Sequence, residues 1–287
     1  MMPARALFGP AGASDAFSKK YKSSQDMPAY LQQMGLDCFE YQCGRGVNIG
    51  EETARKLGEK AAACGIRMSL HAPYFINLSS PDPERIEKNM GYILQAARAC
   101  GWMGGDRVTV HCGGLSKMTR QEALDNTFRA VRLALERLEA EKLDHIGLCI
   151  ETMGKINVLG DFDEVMAICA LDERLLPCID FGHLNSRTQG AVNSEEAFAA
   201  LLRGMEDRLG SERARSFHGH FSKIEYSKGG EVRHLTFEDA AYGPDFAPLA
   251  KLLAAGGYAP RIICESAGTQ DVDALEMKRI YDAARGV

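Results

Sequence analysis

The chain has 287 residues, 45% hydrophobic and 25% charged, which is enough apolar material for a large buried core. Its formal net charge of −5 excludes the global basic footprint of a protein that coats nucleic acid, but not an enzyme that grips one through a local patch. No apolar run approaches bilayer length, the N-terminal MMPARALFGPAG lacks a signal-peptide core, and nine cysteines occur without any CxxC. The expectation is a cytoplasmic protein with no membrane contact and reduced, mostly core thiols.

In chain order, short apolar runs alternate with amphipathic segments. ALFGPAG, from Ala6, reads as a first strand and MPAYLQQMGL, from Met27, as a helix. CFEYQCG (Cys38), the helix EETARKLGEKAAACG (Glu51) and the strand RMSLHAPY (Arg67) follow. The next helix, from Asp82, puts Ile86, Met90, Ile93, Leu94 and Ala97 on one face. RVTVHCGG (Arg107) is strand-like, and a long helix from Thr119 opens with a Thr-x-x-Glu capping box. HIGLCIETMG, DFDEVMAICA, LLPCIDFGHLN and SEEAFAALLRGMEDRLG continue the alternation; SFHGHFSKIEY, PDFAPLAKLLAAGG, RIICESAG and DVDALEMKRIYDAARG complete it. Eight strand–helix pairs without a long linker predict one (β/α)8 TIM barrel over residues 1–287. No GxGxxG follows the first strand, which argues against a dinucleotide-binding open sheet.

Catalytic groups of such barrels gather at the C-terminal ends of the strands. The third strand ends in His71, the fourth in His111, the fifth in Glu151 and the eighth in Glu265. The sixth gives Asp180 and, three residues on, His183; the seventh carries His218 and His220 on one face, with His234 beyond it. Only His145, of seven histidines, falls at the opposite rim. So many imidazoles and carboxylates at one end would be costly without cations to organise them, and the donor types suit Zn²⁺, Mn²⁺ or Fe²⁺. The inventory exceeds one ion and points to two or three, with a carboxylate bridging.

These residues resemble the endonuclease IV family of apurinic/apyrimidinic endonucleases, within the xylose-isomerase-like barrel group. HAPYFINLSSPDPERIEKN, VTVHCGG, IETMG, IDFGHLN and ICES carry the resemblance in order, over essentially the whole chain. It implies three zinc ions and hydrolysis of duplex DNA 5′ to an abasic site. His71 and His111 would hold the first ion, with Glu151 bridging to the second. Asp180, Glu265 and a strand-seven histidine would complete the second, and His183 and His234 would serve the third. Glu151 and Glu265 are the expected catalytic carboxylates. Two positions depart from the family: Val232-Arg233-His234 stands where Asp-Arg-His is usual, and HGHFSK where the family has His-Leu-Asn-Asp. Either His218 or His220 is the strand-seven ligand; one of them, or Glu231, replaces the lost aspartate, or the third site is absent.

On the substrate side, Tyr74 and Phe75 are either wedges beside a flipped-out abasic nucleotide or packing on the barrel rim. Rim cations Arg45, Lys117, Lys155, Arg187, Lys223, Lys228 and Arg233 are candidate phosphate contacts, diluted by Glu40 and Glu225. The alternative is a sugar isomerase or epimerase acting through Glu151, Asp180 and Glu265, against which the surplus of histidines argues.

Overall fold

Strands form where the apolar runs lie: β1 (Leu7–Pro10), β2 (Cys38–Gln42), β3 (Arg67–His71), β4 (Arg107–His111), β5 (Gly147–Glu151) and β6 (Leu175–Asp180). β7 (His218–Phe221), β8 (Ile224–Ser227), β9 (Gly230–His234) and β10 (Arg261–Cys264) follow. This is a computed structural model, and it describes residues 5–287. Eight strands make one parallel sheet in the order β1-β10-β7-β6-β5-β4-β3-β2. Its two edge strands approach each other: Asp37 N donates to Phe8 O at 2.8 Å, Gly12 N donates to Glu40 O at 2.9 Å, and Ala11 bridges Glu40. That approach requires Gly9, because a Cβ there would lie 1.7 Å from the Cys38 carbonyl oxygen. The result is a nearly closed (β/α)8 TIM barrel, a single domain, as the alternation predicts.

The surrounding helices bury the expected faces. In Pro83–Trp102 the residues Met90, Ile93 and Ala97 are buried, whereas Ile86 and Leu94 are only half-buried. Arg120–Ala140 opens with the Thr119–Glu122 capping box, an arrangement worth about 1 kcal/mol, and Phe162–Cys169 opens with a second one, Asp161–Glu164. Between barrel and helices, Phe221 packs edge-on against Phe246 at 5.0 Å, and Phe8 against Phe246 at 5.9 Å. All nine cysteines are free thiols, eight of them buried. Among the described residues no helix is long and apolar enough to cross a membrane.

Two differences from the sequence expectation shape the site. The run from Ser216, read as one strand, is split: β7 ends at Phe221, and β8 leaves the barrel to pair antiparallel with β9. His234, expected in a loop, therefore ends a strand. This hairpin docks on the loop after β5, where Glu231 N donates to Gly154 O at 3.2 Å and Ile156 N donates to Gly229 O at 3.1 Å. Gly230 sits at the contact with φ +91°, and a Cβ there would lie 2.2 Å from Gly154 O. The second addition is a short helix, Phe181–Arg187, directly after β6.

Candidate metal centre

Five other strands bring donors to Glu151, which is 1% exposed at the end of β5. Its Oε2 lies 3.1 Å from Nε2 of both His71 and His111. Its Oε1 lies 3.1 Å from His220 Nδ1 and 3.4 Å from His183 Nδ1. The carboxylate is thus shared between two donor groups: His71, His111 and Glu151, and Glu151, Asp180, His220 and Glu265.

The Asp-x-x-His spacing of 180 and 183 has a local cause. Asp180 is the N-cap of Phe181–Arg187, and its Oδ1 accepts from His183 N at 2.7 Å. The cap fixes the helix start, and the first turn then carries the His183 ring back over the strand ends. His183 Nδ1 lies 2.9 Å from Thr152 O, leaving Nε2 toward Glu231 Oε2 at 3.4 Å. His183, Glu231 and His234 form a third donor group.

Glu231 reaches that group because of a bulge. Glu225 pairs with Arg233 and Tyr226 with Glu231, so Val232 is the extra residue and is 52% exposed. In a regular strand, residues three apart face opposite sides; one bulged residue restores them to the same side. Glu231 thereby stands beside His234, with Oε1 3.9 Å from His234 Nε2.

The two strand-seven histidines lie at different depths. His220 faces the donor groups, while His218 is one layer deeper, its Nε2 2.8 Å from Glu40 Oε2. His218, His220 and Cys178 also lie close together there, all fully buried. Glu40, read from sequence as a diluting rim charge, is instead wholly inside the barrel at 0% exposure. Strand parity could have shown it: Cys38, Glu40 and Gln42 share a face of β2, opposite Phe39 and Tyr41.

The electrostatics of this end are strained unless charges pair. Burial alone would push the Glu151 carboxyl up, but His220 and His111 reverse that and hold it well below the usual carboxylate range. Burial would lower His71, yet the facing Glu151 raises it to about 9. His183 and His220 are likewise raised against burial, by Asp180 and Glu151 for the first, and by Cys178, Glu265 and Glu40 for the second. His218 goes the other way: its burial outweighs Glu40 and lowers it to about 4.

The donor set fits divalent metal. Convergent imidazole nitrogens and carboxylate oxygens are borderline-to-hard ligands suited to Zn²⁺, Mn²⁺ or Fe²⁺. Asp180 Oδ2 is buried yet accepts no hydrogen bond, as a ligand oxygen awaiting a cation would be.

A cavity of about 420 Å³ opens over His71, His111, Glu151, His183, Glu231 and Glu265, with exposed Tyr74 and Lys155 among its walls. Tyr74 is 59% exposed; Phe75, 43% exposed, leans edge-on against Tyr92 at 5.0 Å. The other cations divide. Arg45, Lys117 and Lys228 are exposed. Arg187 donates to the carbonyls of Met153 and Lys155, and Arg120 to those of Ile156 and Val158, pinning the loop after β5. Lys223 donates to Asp239 O, and Arg233 pairs with Glu225 at 2.6 Å.

Comparison with known proteins agrees with this architecture. The family described as xylose isomerase-like TIM barrel matches residues 28–284. An uncharacterized protein of Methanocaldococcus jannaschii is 31% identical over 276 residues, covering 96% of this chain and 97% of its own. A probable endonuclease 4 of Aquifex aeolicus is 28% identical over 226 residues, covering 76% and 77%. Among solved structures, a D-tagatose 3-epimerase-like protein superposes with TM-score 0.70 at 19% identity, covering 97% and 96%. Endonuclease IV from Thermus thermophilus superposes with TM-score 0.66 at 18% identity, covering 97% and 98%.

Proposed function

The chain belongs to the xylose isomerase-like TIM-barrel family, and within it we propose a metal-dependent phosphodiester hydrolase of the endonuclease IV type, cutting duplex DNA 5′ to abasic sites. One observation carries this reading: the third donor group, His183, Glu231 and His234, beside the two that share Glu151. Isomerisation of a sugar needs one or two carboxylate-rich sites; a third group at one wall of the same cavity suits a phosphoryl centre.

In this reading His71, His111 and Glu151 hold one zinc ion, and Glu151, Asp180, His220 and Glu265 a second. His183, Glu231 and His234 hold the third, so Glu231 stands in for the aspartate replaced by Val232. Bound ions would supply the Lewis acidity that hydrolysis of a phosphodiester requires. Glu265, at 15% side-chain exposure, faces the cavity and accepts the proton of the attacking water. Glu151 is the bridging carboxylate, and its burial keeps it ionised only while cationic partners surround it. Lys155 at the cavity wall, with the exposed Arg45, Lys117 and Lys228, offers charge to phosphates, whereas Lys223 and Arg233 are engaged locally and shape the hairpin. Tyr74 projects beside the cavity and, with Phe75 behind it, acts as the wedge against which an extruded nucleotide is held.

The quartet Glu151, Asp180, His220 and Glu265 supports a second reading, a sugar epimerase, because it alone would polarise a hydroxyketone. Incubating the metal-loaded protein with a duplex oligonucleotide bearing one abasic analogue separates the two. Incision 5′ to the lesion is expected, falling roughly 10-fold in Tyr74→Ala, an order of magnitude set by loss of one stacking contact of about 1–3 kcal/mol. An intact oligonucleotide together with epimerisation of a ketose would overturn the nuclease reading.

A further inference from the structure

The candidate ligand histidines do not all face the cluster by the same nitrogen. His71 Nδ1 lies 2.7 Å from Ala72 O, His183 Nδ1 2.9 Å from Thr152 O, and His234 Nδ1 2.9 Å from Ser222 Oγ. His71 and His234 are thus anchored through Nδ1 and present Nε2; the His183 Nδ1, anchored on Thr152 O, also passes 3.1 Å from Asp180 Oδ2 and 3.4 Å from Glu151 Oε1, and its Nε2 turns to Glu231. His220 is reversed: Nδ1 faces Glu151 at 3.1 Å and Glu265 at 3.5 Å, and Nε2 points down the barrel to Glu40 Oε1 at 3.0 Å. That lower contact is an ion-pair approach without the alignment of a full hydrogen bond.

Glu40 itself is firmly seated. Its Oε2 accepts from Ser69 Oγ and Thr109 Oγ1, each at 3.3 Å, and lies 2.8 Å from His218 Nε2. Its Oε1 accepts from Gln42 Nε2 at 3.2 Å. Barrel interiors are ordinarily filled by branched apolar side chains, and a buried carboxylate is tolerated only where partners surround it. Four strands, β2, β3, β4 and β7, contribute to this one polar layer.

We propose that Glu40 is a positioning residue for His220. It holds the ring with hydrogen on Nε2, so that the Nδ1 lone pair faces Asp180, Glu151 and Glu265, and His218 is the brace that fixes Glu40. The His-x-His of β7 then has one ligand and one support, two residues apart on the same face and one layer apart in depth. A carboxylate behind a ligating imidazole sets its tautomer and raises its basicity. The inference rests on the metal reading of the cluster.

Two measurements test it. In zinc-loaded wild-type protein labelled with ¹⁵N-histidine, His220 is expected to carry hydrogen on Nε2 and metal on Nδ1, while His71, His183 and His234 show the opposite tautomer. In Glu40→Gln, competition with a chelator is expected to show one ion weakened roughly 10- to 100-fold, with the others unchanged. Cobalt substitution should show an altered visible spectrum in the same variant, and His218→Gln a smaller shift. Zinc on Nε2 of His220 overturns the proposal, and does so even if the variants fail to fold. A folded Glu40→Gln that matches wild type in metal affinity and cobalt spectrum also overturns it. Wild-type protein that takes up no metal overturns the reading beneath it as well, which distinguishes the two failures.

Discussion

The two rims of the barrel handle charge in opposite ways. At the N-terminal rim, carboxylates meet guanidinium and ammonium groups directly. Arg261 is buried, donates to Met68 O at 2.8 Å and pairs with Asp106 at 3.0 Å. Asp37 is gripped by Arg5 and Lys278. At the C-terminal rim four imidazoles crowd one carboxylate, Glu151, and a second carboxylate, Asp180, leaves an oxygen unbonded. In the first arrangement opposite charges already meet, and its buried unbonded atom, Arg261 Nε, is an N–H that cannot ligate a metal. The second is over-supplied with donors for its own hydrogen bonding, and that surplus is what distinguishes a site from a scaffold.

Substitutions at the two rims should therefore separate activity from stability. The largest effect is expected from Glu151→Gln, which removes the charge shared by two donor groups. Turnover should fall by about 10³-fold or more while the thermal midpoint of the apo protein holds, read by an incision assay and circular dichroism. Near-normal turnover would erase the bridging role. Next, Glu231→Ala should lower metal content by one ion per chain, measured by plasma emission after gel filtration. Val232→Asp in that background should not restore it, because the bulge turns position 232 to solvent.

At the other rim, Arg261→Met should cost about 2–4 kcal/mol in denaturant unfolding, mainly through the orphaned Met68 carbonyl and lost ion pair, with metal content unchanged. Loss of metal there would blur the contrast between the rims. The smallest effect is a pH dependence. Burial would raise Asp37, but Arg5 and Lys278 hold it below its ordinary value. Its contribution is thus complete above the unfolded-state pKa near 4 and fades as pH falls through the lower folded value. Asp37→Asn should be less stable by about 1 kcal/mol at pH 6 and converge on wild type in strong acid, as urea midpoints would show.

The barrel and most of its rim were legible because both depend on short-range pattern. A strand end is marked by where an apolar run stops, and that alone brought His71, His111, Glu151, Asp180 and Glu265 to one end. Depth was not legible. His218 and His220 share a face, and which one meets the cluster depends on how far β7 is offset from its neighbours, a property of eight strands together. Glu231 was readable only as one of three candidates for the missing ligand, since one bulged residue reverses the parity of everything before it. The β8–β9 hairpin was hidden for a different reason: SFHGHFSKIEY holds no proline and no Asn-Gly or Asp-Gly pair, so no turn signal marks where the chain leaves the barrel. Glu40 is readable from strand parity, although its charge alone points to the rim.

The most direct test is the number of metal ions held by gently purified wild-type protein, counted per chain by elemental analysis. Three ions are expected, one for each donor group. Two or fewer after saturation with zinc would contradict the three-group centre, and with it the part assigned to Glu231.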